Sequence, residues 1–147
     1  MNHMFRQATP LDWPVVRDLL QHAELPVEDL AADRMPDFVV CVGADGILAG
    51  AVGLERYGQV ALLRSLVVCK AGRGKGLGGC LVAELEQSAG ERGIRELWLL
   101  TNDAHDFFAA RGFEIRDRAD APDAIRFSAE FSSICPASAV LMSKTLA

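Results

Sequence analysis

Hydrophobic residues along the chain switch between strand-like and helix-like spacing. Short apolar runs predict strands at Met4–Gln7, Phe38–Gly43, Ile47–Glu55, Val60–Val68, Arg95–Thr101, Phe113–Arg116 and Ala139–Leu146. Apolar residues at helical spacing predict helices at about Pro10–His22, Gly76–Glu91 and Ala104–Arg111, with short helical stretches at Pro26–Ala32 and Pro122–Phe131. Strands and helices therefore mix along one chain, which predicts an α/β (α+β) fold.

Short turns join three of these strands in series. Asp45-Gly46 is a typical hairpin turn pair, and Tyr57-Gly58 turns the chain again. Strands joined by such short turns run antiparallel. The strand Arg95–Thr101 is instead reached through a helix, so we expect it to run parallel to Val60–Val68.

The composition predicts a single globular domain over residues 1–147. Half of the residues are hydrophobic, which is enough for a real core. The net charge of -5 argues against non-specific binding to nucleic acid. No apolar run approaches the ~18 residues of a membrane span, and Met1–Gln7 is too short and polar for a signal peptide. We therefore expect a cytoplasmic protein without membrane or nucleic-acid partners.

The cysteines predict neither a metal site nor a disulfide framework. Cys41, Cys69, Cys80 and Cys135 are widely separated and form no C-x-x-C pair. Free thiols are typical of a reducing cytoplasm.

A basic, glycine-rich segment, C-K-A-G-R-G-K-G-L-G-G, joins the strand Val60–Val68 to the next helix. Glycines let backbone amides turn inward, and the helix N-terminus attracts anions. Arg73 and Lys75 add positive charge, so the segment predicts a phosphate site. A Walker A loop is excluded because Gly76 follows the lysine. A dinucleotide fingerprint is disfavoured because the glycines stand several residues beyond the strand.

Two motifs carry a resemblance to a known family. The R-x-x-G-x-G sequence of Arg73–Gly78, directly after L-V-V, resembles the pyrophosphate loop of the GNAT superfamily of acetyl-CoA-dependent N-acetyltransferases. A second match to that family is Asn102-x-Ala104-x-x-Phe107-Phe108-x-x-x-Gly112-Phe113. The element order resembles the GNAT fold over essentially the whole chain. The resemblance implies a mixed, mostly antiparallel seven-stranded sheet, flanked by helices, with a V-shaped splay between strands 4 and 5.

The resemblance also implies how acetyl-CoA is held. The pyrophosphate loop would comprise Arg73, Gly74, Lys75, Gly76, Leu77 and Gly78. Leu66, Val67 and Val68 would pair with pantetheine through their backbone, and an amide at Leu66 would meet the oxyanion. Asn102 would either bind the pantetheine arm or cap a helix. Phe108 aligns with the family's tyrosine, and phenylalanine cannot donate a proton to the departing thiolate.

The catalytic base is not fixed by the motifs, because the family's glutamate aligns near Leu62. Glu55 is our first candidate, and a solvated surface carboxylate is the alternative interpretation. The other candidates are Tyr57, His105, Glu130 and Cys135. A water chain to a more distant base is also open.

The acceptor side depends on an arginine in an apolar strand. Arg64 could pair with a substrate carboxylate or with an internal Asp or Glu. Arg126 and Arg56 are weaker candidates. The segment Ala124–Ala139 with L-L-R-S-L-V-V resembles small bacterial amino-acid N-acetyltransferases, including those grouped with arsenic-resistance operons. That resemblance implies that Ser138 lies near the substrate carboxylate.

These features predict an acetyl-CoA-dependent N-acetyltransferase that acts on a small, amino-acid-like amine bearing a carboxylate. A non-catalytic acyl-CoA-binding or sensing domain is the alternative. Acetylation of proteins is a third interpretation, and the insertion Asp117–Pro136 disfavours it because it could close a peptide groove. The apolar Val140–Met142 could pair two copies as a homodimer or belong to the core.

Overall fold

The protein is described by a computed structural model that covers residues 3–129, 131 and 138–146. The strands are β1 (Met4–Gln7), β2 (Phe38–Val42), β3 (Leu48–Tyr57), β4 (Val60–Val68), β5 (Glu96–Thr101), β6 (Glu114–Arg116) and β7 (Val140–Thr145). The α-helices are α1 (Trp13–His22), α2 (Leu77–Glu91), α3 (His105–Ala109) and α4 (Asp123–Arg126). Short 3-10 helices occupy Pro10–Asp12, Ala32–Asp37, Lys70–Gly72 and Arg118–Asp120.

The strands form one seven-stranded sheet in the order β1-β2-β3-β4-β5-β7-β6. The β1–β2, β2–β3, β5–β7 and β6–β7 pairs are antiparallel, whereas β4 and β5 are parallel. The predicted mixed, mostly antiparallel sheet is confirmed. The β4–β5 register joins Val60–Leu62 to Glu96–Trp98 and stops there, although both strands continue. Such a short register is what the predicted splay requires.

The chain divides into two compact units. The first comprises Met1–Leu54 and Ser65–Ser88. Its core lies between α1, the 3-10 helix Ala32–Asp37 and the first strands, and its fully buried members include Val16, Leu20, Met35 and Val40. The turn at Asp45-Gly46 forms as predicted. Gly46 adopts φ +81°, and its amide donates to the Gly43 carbonyl.

The second unit comprises Glu55–Arg64 and Ala89–Ala147. Leu62, Trp98, Ala121, Ile125 and Leu141 form its core. Within the range predicted to be helical, Pro122–Phe131, the described residues form the short helix α4. Its Ile125 is fully buried. Strand β7 lies between β5 and β6, and its Leu141 and Met142 are buried. Leu141 and Met142 therefore belong to the core, which was one of the two alternatives, whereas Val140 is half-buried.

The predicted helix at Pro26–Ala32 is wrong. The Leu30 amide donates to the Val27 carbonyl at 3.0 Å, a single turn that does not continue as a helix. Helical structure begins instead at Ala32–Asp37, as a 3-10 helix. A short helix is costly to nucleate, and the burial of Leu30 in the core fixes this segment in another conformation.

Among the described residues, no helix has the length and apolar character needed to cross a membrane. Cys41, Cys69 and Cys80 are free thiols, of which Cys80 is exposed, and Cys135 lies outside the described residues.

Candidate functional site

The glycine-rich segment forms an open loop at the end of β4. After the 3-10 helix Lys70–Gly72 the chain passes Gly74 at φ +80° and Gly76 at φ +74° before α2 begins. Only glycine adopts this left-handed conformation at little cost. Residues 73–76 are all exposed, so the loop presents its backbone to solvent.

The loop and α2 offer donors and positive charge to an anion. The first amide of α2 to bond back into the helix is that of Cys80, which donates to Gly76 O at 3.2 Å. The amides of residues 77–79 precede this hydrogen bond and sit at the positive end of the helix dipole. Arg73 Nε donates to the Val68 carbonyl at 3.3 Å, which ties this guanidinium to the end of β4. The arrangement suits a phosphate or pyrophosphate group.

The same loop borders a cavity in the first unit. Lys75, Ala71 and Cys69 line a pocket of about 410 Å³ together with His3 and residues of the β2–β3 turn. This cavity could not be predicted from the sequence, because its lining residues come from three separate segments.

Strand β4 contains a backbone irregularity at Ser65. This residue adopts φ +62°, the left-handed region that non-glycine residues seldom occupy. Such strain costs of order 1–3 kcal/mol and is concentrated at functional sites. Leu66 and Val68 follow as half-buried residues around the buried Val67. The kink therefore directly precedes the three residues predicted to bind pantetheine.

Glu55, our first candidate for the base, is buried, and both of its carboxylate oxygens accept hydrogen bonds. Its Oε1 atom lies 2.6 Å from Arg64 Nη1, and its Oε2 atom accepts the Tyr57 hydroxyl at 2.5 Å. The Glu55 and Arg64 side chains are only 8% and 0% exposed. Glu55 is therefore not a solvated surface carboxylate. For Arg64 the structure shows the internal ion pair, one of the two alternatives, and substrate binding by this residue stays a prediction.

Asn102 and Phe108 both lie in the second unit. Asn102 is exposed and does not cap α3, since the Ala104 amide donates to Thr101 Oγ1 at 3.0 Å. Its predicted contact with pantetheine stays a prediction. Phe108 is buried, with its ring edge-to-face against Phe107 at 5.0 Å and Phe113 at 5.5 Å. It is a core residue and brings no hydroxyl to the site.

The other acceptor-side candidates are accessible. Arg126 is half exposed, with its Nη1 atom 3.9 Å from Asp123 Oδ1. Ser138 is exposed, and so is His105, whose Nε2 atom is 3.3 Å from Asp106. Glu130 lies outside the described residues. Within the described ranges, no group of three or more His, Cys, Asp and Glu residues could hold a metal ion.

Known proteins resemble this chain in sequence and in fold. The sequence model of the Acetyltransferase (GNAT) family matches residues 2–113. Streptothricin acetyltransferase of Streptomyces lavendulae is 36% identical over 94 residues, which is 61% of this chain and 50% of that protein. The chain thus spans half the length of this curated relative.

Two solved structures share the fold. N-acetylglutamate synthase from Neisseria gonorrhoeae, complexed with coenzyme A and N-acetyl-glutamate, superposes with a TM-score of 0.87 at 21% identity, covering 100% of this chain and 36% of that one. Rv2747 from Mycobacterium tuberculosis, in complex with CoA and NLQ, superposes with a TM-score of 0.84 at 22% identity, covering 98% of this chain and 99% of that one. At such identities the likeness shows the fold alone. With the family model matching three quarters of its length, this chain belongs to the Acetyltransferase (GNAT) family.

Proposed function

We propose that the protein transfers an acetyl group from acetyl-CoA to the amine of a small, amino-acid-like acceptor that bears a carboxylate. The observation that carries this proposal is the open loop of residues 73–78, where left-handed glycines, two cations and the N-terminus of α2 converge. Family membership and neighbours solved with coenzyme A support it. The free thiols support a reducing compartment such as the cytoplasm.

In this proposal the loop amides and Arg73 hold the pyrophosphate of coenzyme A. The backbone of Leu66, Val67 and Val68 pairs with the pantetheine arm, and Asn102 adds a hydrogen bond to it. Phe108 contributes apolar packing only. These groups fix the thioester carbonyl in place, which removes much of the entropic cost of the reaction.

The chemical step is direct attack by the amine. A C–N bond forms at the thioester carbonyl, the C–S bond breaks, and the coenzyme A thiolate leaves. The Leu66 amide stabilises the oxyanion, a contact worth about 3 kcal/mol in transition-state stabilisation. Glu55 is the base of the reaction, and the thiolate leaves without help from residue 108.

The acceptor is proposed to be an amino acid or a close analogue, including arsenic-containing analogues. The fold neighbour from Neisseria gonorrhoeae is an N-acetylglutamate synthase, which supports an acceptor with a carboxylate. Arg126 and Ser138 are exposed in the second unit and supply a guanidinium and a hydroxyl for that group. Arg64 could bind the substrate carboxylate only by giving up its ion pair with Glu55, because its side chain is fully buried.

Isothermal titration with acetyl-CoA tests the loop assignment. The double variant Arg73→Glu, Gly76→Val reverses one charge and forbids one left-handed turn, so binding should collapse. Unchanged affinity in that variant would remove the loop from the cofactor site. Circular dichroism of the variant checks that the fold survives.

A non-catalytic acyl-CoA sensor is the second candidate, favoured by the phenylalanine at residue 108. A sensor binds acetyl-CoA through the same loop but releases no thiol when amines are added. A thiol-release assay therefore separates the two functions.

A further inference from the structure

The cavity beside the glycine loop lies between two walls of the first unit. One wall is the β2–β3 turn with the start of β3, and the other is formed by residues between Cys69 and Lys75. The Cys69 amide donates to the Ala49 carbonyl at 2.7 Å, which ties the walls together. The volume of about 410 Å³ falls within the range of about 300–1,000 Å³ usual for small-molecule sites. The cavity is therefore formed before any ligand arrives and is large enough for one.

Much of the cavity lining is apolar. Its apolar side chains belong to Ala44, Ile47, Leu48, Ala49 and Ala71. Leu48 and Ala49 are buried, whereas Ile47 is 63% exposed. A ligand with an apolar side chain would cover part of Ile47, and removing this apolar surface from water favours binding.

Two opposite charges, Lys75 on one wall and Asp45 on the other, also line the cavity. Both residues are exposed, and within the described part of the chain neither forms an ion pair. Asp45 Oδ1 accepts the Ile47 amide at 3.0 Å, and the carboxylate has a second oxygen for a ligand. An ammonium group only donates hydrogen bonds and a carboxylate only accepts them. The cavity therefore offers a ligand one cationic donor and one anionic acceptor.

This pair of charges selects the class of ligand. A simple carboxylic acid would meet the like charge of Asp45, and a simple amine would meet that of Lys75. A zwitterion can direct its carboxylate to Lys75 and its ammonium group to Asp45, which gives two charge-assisted hydrogen bonds. His3 is half-buried in the same lining and can donate a ring N–H to the carboxylate. With the apolar wall, these groups match an α-amino acid that has an apolar side chain.

We propose that the cavity binds an α-amino acid with an apolar side chain, such as leucine, and that this binding weakens the binding of acetyl-CoA. Lys75 also belongs to the loop proposed to hold the pyrophosphate, so the two ligands compete for its charge. Such a coupling is reciprocal, because each ligand changes the affinity for the other by the same factor. The effect on acetyl-CoA rests on the proposed function, whereas the binding of the amino acid does not.

The amino acid is here an effector and not the acceptor. The oxyanion donor proposed for acetyl transfer is the Leu66 amide, and the pantetheine arm is assigned to residues 66–68. The cavity begins only at Cys69 and extends along the pyrophosphate loop to Lys75. It therefore borders the end of the cofactor site that is remote from the thioester.

Isothermal titration with leucine and two analogues tests the pair of charges. In 4-methylpentanoate the ammonium group is missing, and in 3-methylbutylamine the carboxylate is missing. Hydrogen bonds to charged groups are worth about tenfold or more in affinity, so each analogue should bind at least about tenfold more weakly than leucine. Equal affinity for leucine and 4-methylpentanoate, or no binding of leucine, would overturn the proposal.

Asp45→Asn assigns the ammonium group to its partner. Asparagine keeps a side-chain oxygen for the Ile47 amide but loses the charge, so most of the preference for leucine over 4-methylpentanoate should disappear. The control is Asp33→Asn, an exposed carboxylate of the same unit outside the cavity, which should keep that preference. A preference that survives in Asp45→Asn would place leucine elsewhere.

Cysteine alkylation locates the bound amino acid. Cys69 is half-buried and lines the cavity, whereas Cys80 is exposed and lies outside its lining. Leucine should slow the reaction of Cys69 with N-ethylmaleimide and leave that of Cys80 unchanged, as measured by peptide mapping. Bound leucine that leaves the Cys69 rate unchanged would contradict this site.

Titration of acetyl-CoA with and without saturating leucine measures the coupling. Couplings between sites are typically about fivefold or more, so leucine should raise the Kd of acetyl-CoA by at least that factor. An unchanged Kd would refute the antagonism, and so would tighter binding of leucine with acetyl-CoA present together with formation of N-acetyl-leucine. Failure of acetyl-CoA to bind even without leucine would instead refute the proposed function and leave the amino-acid site in place.

Discussion

Gly50 on β3 and Leu81 on α2 approach so closely that residue 50 has no room for a side chain. A Cβ atom built at Gly50 would lie 3.0 Å from Leu81 Cδ1 and 2.7 Å from the Val67 carbonyl oxygen. Because of this close approach, α2, which follows the glycine loop, packs directly against β3 and β4.

Gly50→Ala should therefore destabilise the protein by about 1–3 kcal/mol through overpacking. The matched control is Gly90→Ala on α2, where a Cβ meets nothing within 4 Å. That change should stabilise by about 0.5–1 kcal/mol, because alanine is the better helix former. The midpoints of urea unfolding measure the stability change in each variant. Equal midpoints for the two variants would contradict the close approach.

The backbone conformation of the loop yields a second prediction. Gly76→Ala places a side chain in open space but at φ +74°, so its penalty comes from the backbone alone. Left-handed strain of about 1–2 kcal/mol would be relieved by moving the loop amides. Affinity for acetyl-CoA should then fall by about tenfold, the equivalent of about 1.4 kcal/mol.

Gly46→Ala is the control for this loop variant. Gly46 has φ +81° and equally open surroundings, but it lies in the β2–β3 turn. It should lose similar stability and keep its affinity for acetyl-CoA. Titration calorimetry that finds the same affinity loss in both variants would assign the effect to general destabilisation.

The stability of the folded protein at acid pH depends on Asp12. Arg6 donates two hydrogen bonds to its carboxylate, at 2.8 Å and 3.0 Å, and the Thr9 amide adds a third. These bonds, those from the Arg6 side chain above all, hold the pKa of Asp12 below its ordinary value, although burial opposes them. The stabilisation is complete above the unfolded pKa of about 3.9 and is lost as pH falls through the lower folded pKa.

Asp12→Asn should therefore be less stable than wild type at pH 7, and the difference should close as pH falls through that window. Urea unfolding from pH 2 to pH 7 measures it. A stability difference that stays constant over this range would show that the Asp12 charge contributes nothing.

Two of the described cysteines, Cys41 and Cys80, should differ sharply in reactivity. Burial, and next the neighbouring Cys80 and Cys69, raise the pKa of the Cys41 thiol. Cys41 is also fully buried, whereas Cys80 is exposed. Because only the thiolate reacts, iodoacetamide should modify Cys80 in the native protein and Cys41 only after unfolding. Peptide mapping by mass spectrometry measures the modification of each cysteine. Equal rates of modification of Cys41 and Cys80 in the native protein would contradict the burial of Cys41.

Local patterns were predictable from the sequence, and long-range pairings were not. The loop at Gly74–Gly78 and the turn at Gly46 are set by glycines and their immediate neighbours, so both could be predicted. The partner of Arg64 depends on how β3 pairs with β4, and the sequence left two alternatives open. Ser65 carries no sequence signal, because the left-handed conformation that it adopts is uncommon for serine. The helix predicted at Pro26–Ala32 failed because tertiary burial of Leu30 outweighed a weak local preference.

Release of free thiol from acetyl-CoA tests the account most directly. Wild-type protein is mixed with acetyl-CoA and each amine in turn, and the N-acetylated product is identified by mass spectrometry. We predict thiol release above the protein-free rate with at least one carboxylate-bearing amine, matched mole for mole by acetylated product. Tight binding of acetyl-CoA with no thiol release for any amine would contradict acetyl transfer and leave a sensor in its place.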